Sequence, residues 1–248
     1  MIKKWVIPDI HGCFKTLEML IETQIKPNKN DHLIFLGDYI DRGPDSKAVV
    51  DYIMKMQQDE YNITALMGNH EDYCVRAYDE DVRNKGFLGF RRKTKIQREW
   101  ELYGGQQALG SFDVDWPKDI PEKYIEWMRN LEYFIHVDDF VIVHAGLNFK
   151  KDNPYTDKRA MIWIRDFRVD SSKIDNKKVI HGHVPVSLEF IELALNNADY
   201  KFMPLDNGVY FNDRVGYGLP LAALLLFLVC LEGYLITHSI RLMHHNDY

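Results

Sequence analysis

Five short apolar runs punctuate the chain, and each ends in a polar cluster. Trp5-Val-Ile-Pro leads into Asp9, and Leu33-Ile-Phe-Leu-Gly leads into Asp38. Ile63-Thr-Ala-Leu-Met-Gly precedes Asn69, Phe140-Val-Ile-Val precedes His144, and Val179-Ile precedes His181-Gly182-His183. Short continuous runs of β-branched and aromatic residues predict buried strands. Between them the periodicity changes. Leu17, Leu20 and Ile21 predict a helix over 16–24, and Val49, Val50 and Ile53 predict another over 46–56, opened by Pro44-Asp45-Ser46. Alternating strand and helix indicates the α/β class. A charged stretch from about 72 to 131, with Arg, Tyr and Trp at helical spacing, reads as a helical insertion in a single domain covering 1–248. Because α/β sheets bind ligands at the carboxyl ends of their strands, the five clusters are expected on one rim.

Composition narrows the options. At 248 residues, with 46% hydrophobic and 13% aromatic residues, the chain can build a sizeable core. A formal net charge of −6 supplies no basic face for a nucleic acid polymer. The basic stretch Arg91-Arg92-Lys93-Thr94-Lys95 reads as a solvated helix face. Cys13, Cys74 and Cys230 form neither a disulfide framework nor a thiolate zinc site. With an opening that reads as a strand rather than a signal peptide, they suit a reducing, cytoplasmic setting. Leu219–Leu231 runs thirteen residues without a charge. That is short of the roughly 20 needed to span a membrane, so buried strands and no membrane partner are expected.

The chemistry sits in the clusters: Asp9-Ile-His11-Gly, Gly37-Asp38-Tyr-Ile-Asp41-Arg42-Gly43, Gly68-Asn69-His70-Glu71, His144-Ala-Gly146 and His181-Gly-His183. Carboxylate oxygens mixed with imidazole nitrogens suit Mn, Fe or Zn better than Ca. Alternate strand residues share a side, so Asp9 and His11 are expected to grip one ion from an extended stretch. Two ions about 3.5–4 Å apart would activate water and neutralise a phosphoryl group in transfer. An adjacent Arg would hold phosphate oxygens bidentately, and a His oriented by a carboxylate would protonate the leaving oxygen.

These motifs, in this order over residues 1–185, resemble the phosphoprotein phosphatase branch of the calcineurin-like metallophosphoesterases, especially its small bacterial and phage-type members. The resemblance implies a β-sandwich flanked by helices, in α/β/β/α layers. It implies one ion on Asp9, His11 and bridging Asp38, and a second on Asp38, Asn69, His144 and His183. Mn²⁺ is the implied ion, with Fe and Zn as alternatives, and the implied chemistry is direct attack by a bridging hydroxide. His70 paired with Asp41 looks like the general acid, Arg42 looks like a phosphate clamp, and Trp163-Ile-Arg165 is similar to a segment whose Arg is a second clamp. Pro8 departs from the family, where Gly is usual. Leu205-Asp206-Asn-Gly208 is a weaker echo of it. Trp100-Glu-Leu-Tyr-Gly104-Gly105 resembles a recurring helix-turn and reads as packing. His181 shares the spacing but not the motif and reads as a core residue, and His32, His136, His238, His244 and His245 carry no expected role.

The leading expectation is hydrolysis of phosphomonoesters, with phosphoserine and phosphothreonine in proteins as substrates. One rival is a symmetric diadenosine tetraphosphatase, which shares the metal motifs. Asp41 favours the phosphatase, because tetraphosphatases often replace that carboxylate. The other rival, a silent binding module, is opposed by the complete ligand set. Selection among small phosphoesters and phosphoproteins is expected to lie in the 72–131 insertion.

Overall fold

A computed structural model describes residues 2–84, 86 and 92–211. The predicted strands form where the apolar runs lie. Strands β1 (Lys4–Ile7), β2 (His32–Phe35) and β3 (Asn62–Ala65) make a parallel sheet in that order. Its register pairs Ile7 with Phe35 and Phe35 with Ala65, so the three polar clusters follow on one edge. A second sheet has the order β4 (Phe134–Val137), β5 (Phe140–Val143), β6 (Lys178–His181) and β7 (Phe202–Pro204). β4 and β5 are an antiparallel hairpin, while β5, β6 and β7 run parallel.

The two-residue period of a strand sends alternate side chains to opposite layers. Val6, Ile34 and Leu36 share one buried cluster with Ile142, Ile180 and Met203 of the second sheet and with Ile191. Ile7, Leu33 and Phe35 face the other way, into a larger core with Leu17, Val49, Val50 and Ile53. The latter belong to the helices α1 (Phe14–Met19) and α2 (Ser46–Gln58). Two apposed sheets flanked by helices is the expected α/β sandwich. The first predicted helix differs in detail, since after α1 the chain widens into a π-helical turn over Leu20–Ile25.

The predicted insertion is helical, with α3 (Asn69–Arg83), α4 (Lys95–Trp100), α5 (Gln106–Ser111) and α6 (Glu122–Arg129). Short helices α7 (Lys158–Trp163) and α8 (Leu188–Asn196) complete the α-helices among the described residues. Lys93 and Lys95 pair with Glu101 and Glu99 at the surface, but residues 92–94 precede the helix, which Thr94 caps, so the expected helix face is only its lead-in; Arg91 lies outside the described residues. The apolar stretch 219–231 and Cys230 also lie outside them. Among the described residues no helix is long and apolar enough to cross a membrane.

Candidate active site

Every strand-end cluster reaches the same buried place, centred on Asp38. Its Oδ2 lies 3.5 Å from His11 Nε2 and 3.8 Å from His70 Nε2, and its Oδ1 lies 3.4 Å from His144 Nε2. Two triads therefore share this carboxylate: His11, Asp38 and His70, and Asp38, His144 and His183. Ligands held at about 2.0–2.2 Å around one ion sit about 3–3.6 Å apart. One carboxylate oxygen turned to each triad is the placement a bridging ligand requires.

The histidines are set to offer lone pairs. His11 Nδ1 donates to the Ile40 carbonyl at 3.1 Å, and His144 Nδ1 donates to the Leu36 carbonyl at 2.9 Å. Such bonds fix the tautomer and leave Nε2 as the acceptor facing the site. Burial holds His11 and His144 below the usual imidazole range, and burial with His144 nearby takes His183 down to about 3. Each shift favours the neutral imidazole, the form that binds metal. His144 Nε2 faces Asn69 Oδ1 at 3.1 Å, two acceptors converging as they would on a shared cation. His183 Nε2 is buried without a hydrogen-bond partner. Burial and mutual repulsion raise Asp9, and burial raises Asp206 to about 7, beside Asp38. Buried lone pairs and crowded carboxylates fit divalent ions.

Asp9 and His11 do not share an extended strand. β1 ends at Ile7, and His11 has φ +46, so the expected alternation fails. Asp9 instead accepts the His183 N–H at 3.0 Å, tying the first cluster to the last. His181 turns away from the triads: its ring packs edge-on against Phe167 at 5.3 Å, the expected core role.

Asp38 itself has φ +51, a left-handed conformation that is uncommon for Asp. Glu71 holds it there. The Glu71 carboxylate accepts backbone N–H groups from Asp38 and Tyr39 at 2.9 Å, Ile40 at 3.3 Å and Gly68 at 3.1 Å. The His70 N–H, in the first turn of α3, donates to Asp38 Oδ1 at 3.2 Å, where the helix dipole favours a carboxylate.

His70 Nδ1 donates to Asp41 Oδ2 at 2.6 Å. Arg42 spans the rim, donating from Nη1 to His11 Nε2 at 2.8 Å and from Nη2 to His70 Nε2 at 3.1 Å. Arg165 is exposed, and its charge is felt at His183. Four residues at the site were not expected to act there: Glu71, Asp206, Tyr210 and Trp100, the last having read as packing. Tyr210 lies under the Arg42 guanidinium at 4.4 Å and edge-on to His11 at 4.9 Å. Glu71 had a sequence signal, since it stands three residues after the helix-opening Gly68 and caps it.

A symmetrical bis(5'-nucleosyl)-tetraphosphatase of Buchnera aphidicola subsp. Baizongia pistaciae is 26% identical over 213 residues, 85% of this chain and 62% of that protein. The enzyme of the same description from B. aphidicola subsp. Acyrthosiphon pisum is 36% identical over 147 residues, 58% of this chain and 44% of the other. The chain thus spans less than two thirds of the length of these curated relatives. A cold-active protein-tyrosine phosphatase from Shewanella has a crystal structure similar at TM-score 0.53, with 17% identity, covering 85% of this chain and 72% of that one. That likeness is one of fold. The family model for calcineurin-like phosphoesterases matches residues 2–215, most of the chain. On that match, the chain belongs to the calcineurin-like phosphoesterase family.

Proposed function

We propose that the protein hydrolyses dinucleoside polyphosphates symmetrically, diadenosine tetraphosphate to two ADP being the model reaction. Water adds to an inner phosphorus, the central P–O–P bond breaks, and the second ADP leaves. The observation that carries this reading is an aromatic wall beside the ligand cluster. Tyr103 stacks on Tyr73 at 5.6 Å, Trp163 meets Tyr73 edge-on at 5.2 Å, and Trp163 lies 6.3 Å from the His183 ring. Tyr103 is 46% exposed and neighbouring Leu102 is 85% exposed. A purine has a π-face to stack on such a surface, whereas an extended phosphopeptide makes no special use of it. The tetraphosphatase relatives support the same substrate class. The phosphoprotein reading, first by sequence, takes second place.

In this reading Asp9 would join His11 and Asp38 on one divalent ion, leaving His70 of that triad for proton transfer, and Asp38, Asn69, His144 and His183 would hold the other. When bound, the ions supply an activated water and neutralise phosphoryl charge. Arg42 and Arg165 hold non-bridging oxygens. His70, oriented by Asp41, is the proton donor at its Nε2. One observation favours the rival phosphomonoesterase: the intact Asp41–His70 pair at 2.6 Å. An alkoxide leaving group needs that proton far more than ADP does.

The deciding experiment strips the protein with chelator, restores Mn²⁺, and compares kcat/KM for diadenosine tetraphosphate with that for an aryl phosphate, with product analysis. Efficient formation of ADP alone supports the proposal. Slow dinucleotide cleavage beside brisk aryl phosphate turnover overturns it in favour of the phosphomonoesterase.

A further inference from the structure

We infer that the segment Trp100–Gly105 of the insertion is a positioning device for the catalytic turn, with Trp100 setting His70 through Asp41. Asp41 and Arg42 are consecutive non-glycine residues at φ +73 and +64, a conformation that persists only where the surroundings enforce it. The enforcement comes partly from α2, where Ser46 Oγ accepts the Asp41 N–H at 3.0 Å. The rest comes from the insertion, about sixty residues along the chain.

Trp100 is fully buried, and its Nε1–H donates to Asp41 Oδ2 at 2.8 Å. That same oxygen accepts His70 Nδ1–H at 2.6 Å, while Asp41 Oδ1 is buried without a partner. Two donors on one oxygen fix the direction in which the carboxylate points, and the carboxylate fixes the imidazole. After Trp100 the chain kinks within Glu101–Gly105, where Gly104 leaves the helical region. The turn brings the Gly104 carbonyl to the Arg42 N–H at 3.3 Å. Gly104 has φ +109, and a Cβ there would fall 2.6 Å from the Arg42 nitrogen. A Cβ on Gly105 would fall 2.4 Å from the Trp100 ring. The two glycines thus have separate tasks: one admits the Arg42 backbone and the other admits the indole. The Trp100…Gly104-Gly105 motif, which reads from sequence as packing, is the contact through which the insertion holds the turn bearing the proton donor's partner and the phosphate clamp.

This inference rests on the reading of His70 as proton donor, and the test separates the two. Trp100→Phe keeps an aromatic ring but removes the donor together with part of the buried indole, so thermal unfolding of the chelated protein is measured alongside to report the packing loss separately. A series of aryl and alkyl esters of phosphate and of ADP, spanning good to poor leaving groups, is measured with the Mn²⁺ enzyme for wild type, His70→Asn, Trp100→Phe and the double variant. A lost proton donor hurts poor leaving groups most. Trp100→Phe is expected to lower kcat about 10-fold for the poorest leaving group and less than about 2-fold for the best, with KM and metal stoichiometry unchanged. It is expected to add nothing in the His70→Asn background. In the chelated protein, the ¹⁵N-indole resonance of Trp100 is expected to shift on Asp41→Asn. An equal loss for all leaving groups, additivity with His70→Asn, or an unmoved indole resonance overturns the positioning role. A flat leaving-group dependence in His70→Asn itself overturns the proton-donor reading, and this inference with it.

Discussion

Glu71→Gln changes one atom type without changing volume, so its cost reports the hydrogen bonds together with the loss of one buried charge beside Asp38. The carboxylate now accepts four backbone N–H groups, Asp38 and Gly68 on Oε2 and Tyr39 and Ile40 on Oε1. A glutamine keeps one acceptor oxygen and turns an amino group toward the other pair. Whichever way the amide lies, two buried N–H donors lose their acceptor and the other two lose charge assistance. Each orphaned donor costs about 1–3 kcal/mol. The sum is about 3–5 kcal/mol, which for a chain of this size lowers Tm by about 10 °C. The same loop carries Asp38 at φ +51, so metal affinity should fall about 10–100-fold as the carboxylate loses its fixed direction. The assays are thermal unfolding of the chelated protein and titration with Mn²⁺ under metal analysis. A Tm within about 2 °C of wild type together with full metal stoichiometry would refute the assignment of Glu71 as the clamp on the Asp38 loop.

Gly68→Ala should abolish metal binding and destabilise the fold by about 1–3 kcal/mol, because a Cβ would sit 2.2 Å from Asp38 Oδ1 and 2.4 Å from its nitrogen. Metal analysis and thermal unfolding check it. Arg42→Lys replaces a fork that reaches both His11 and His70 with a single ammonium, and should lower kcat/KM about 10–100-fold with metal stoichiometry unchanged. Full activity in steady-state kinetics would remove the clamp from Arg42. For the metal-free protein, Asp206 gives a pH dependence: burial and Asp38 raise its folded carboxyl from 3.8 to about 7. The folded state then binds the extra proton, so stability falls as pH rises from about 4 to 7, by on the order of 4 kcal/mol at most. Chemical unfolding of chelated wild type and Asp206→Asn across this window should show a slope in the first and a flatter line in the second.

Much of this candidate site was legible because its candidate ligands lie just after apolar strands, where chemistry and secondary structure share one signal. Asp38, Asn69, His144 and His183 follow runs that read as strands by composition alone. Elements with a mixed signal were harder. β4 is interrupted by His136, whose ring packs against Phe134 and Tyr155, and β7 is three residues ending in Pro204, so neither declared itself. Asp206 and Tyr210 follow that short strand, and their approach to Asp9 and Arg42 depends on β7 pairing with β6. Trp100 is farther still from the turn it contacts, and helical spacing describes it only as apolar.

What no sequence pattern carried is the backbone conformation of the candidate site residues. His11, Asp38, Asp41, Arg42 and His183 have φ of +46, +51, +73, +64 and +69, and none is glycine. Each such residue costs about 1 kcal/mol or more, so the five together cost on the order of 5 kcal/mol. That is a large share of the roughly 5–15 kcal/mol by which a domain is stable. The strain persists because each residue is gripped from elsewhere. His11 and Asp38 are bound to each other through the His11 N–H and the Asp38 carbonyl at 2.8 Å, and Glu71 caps the loop after Asp38. Ser46 and the Gly104 carbonyl take the N–H groups of Asp41 and Arg42, and Asp9 takes that of His183. Ligand motifs alone would therefore not make the site. A chain with the same candidate ligands but without Glu71, Trp100 and Gly104 would keep the donor types, yet its strand-end turns would relax toward ordinary φ and carry the donor atoms away from Asp38.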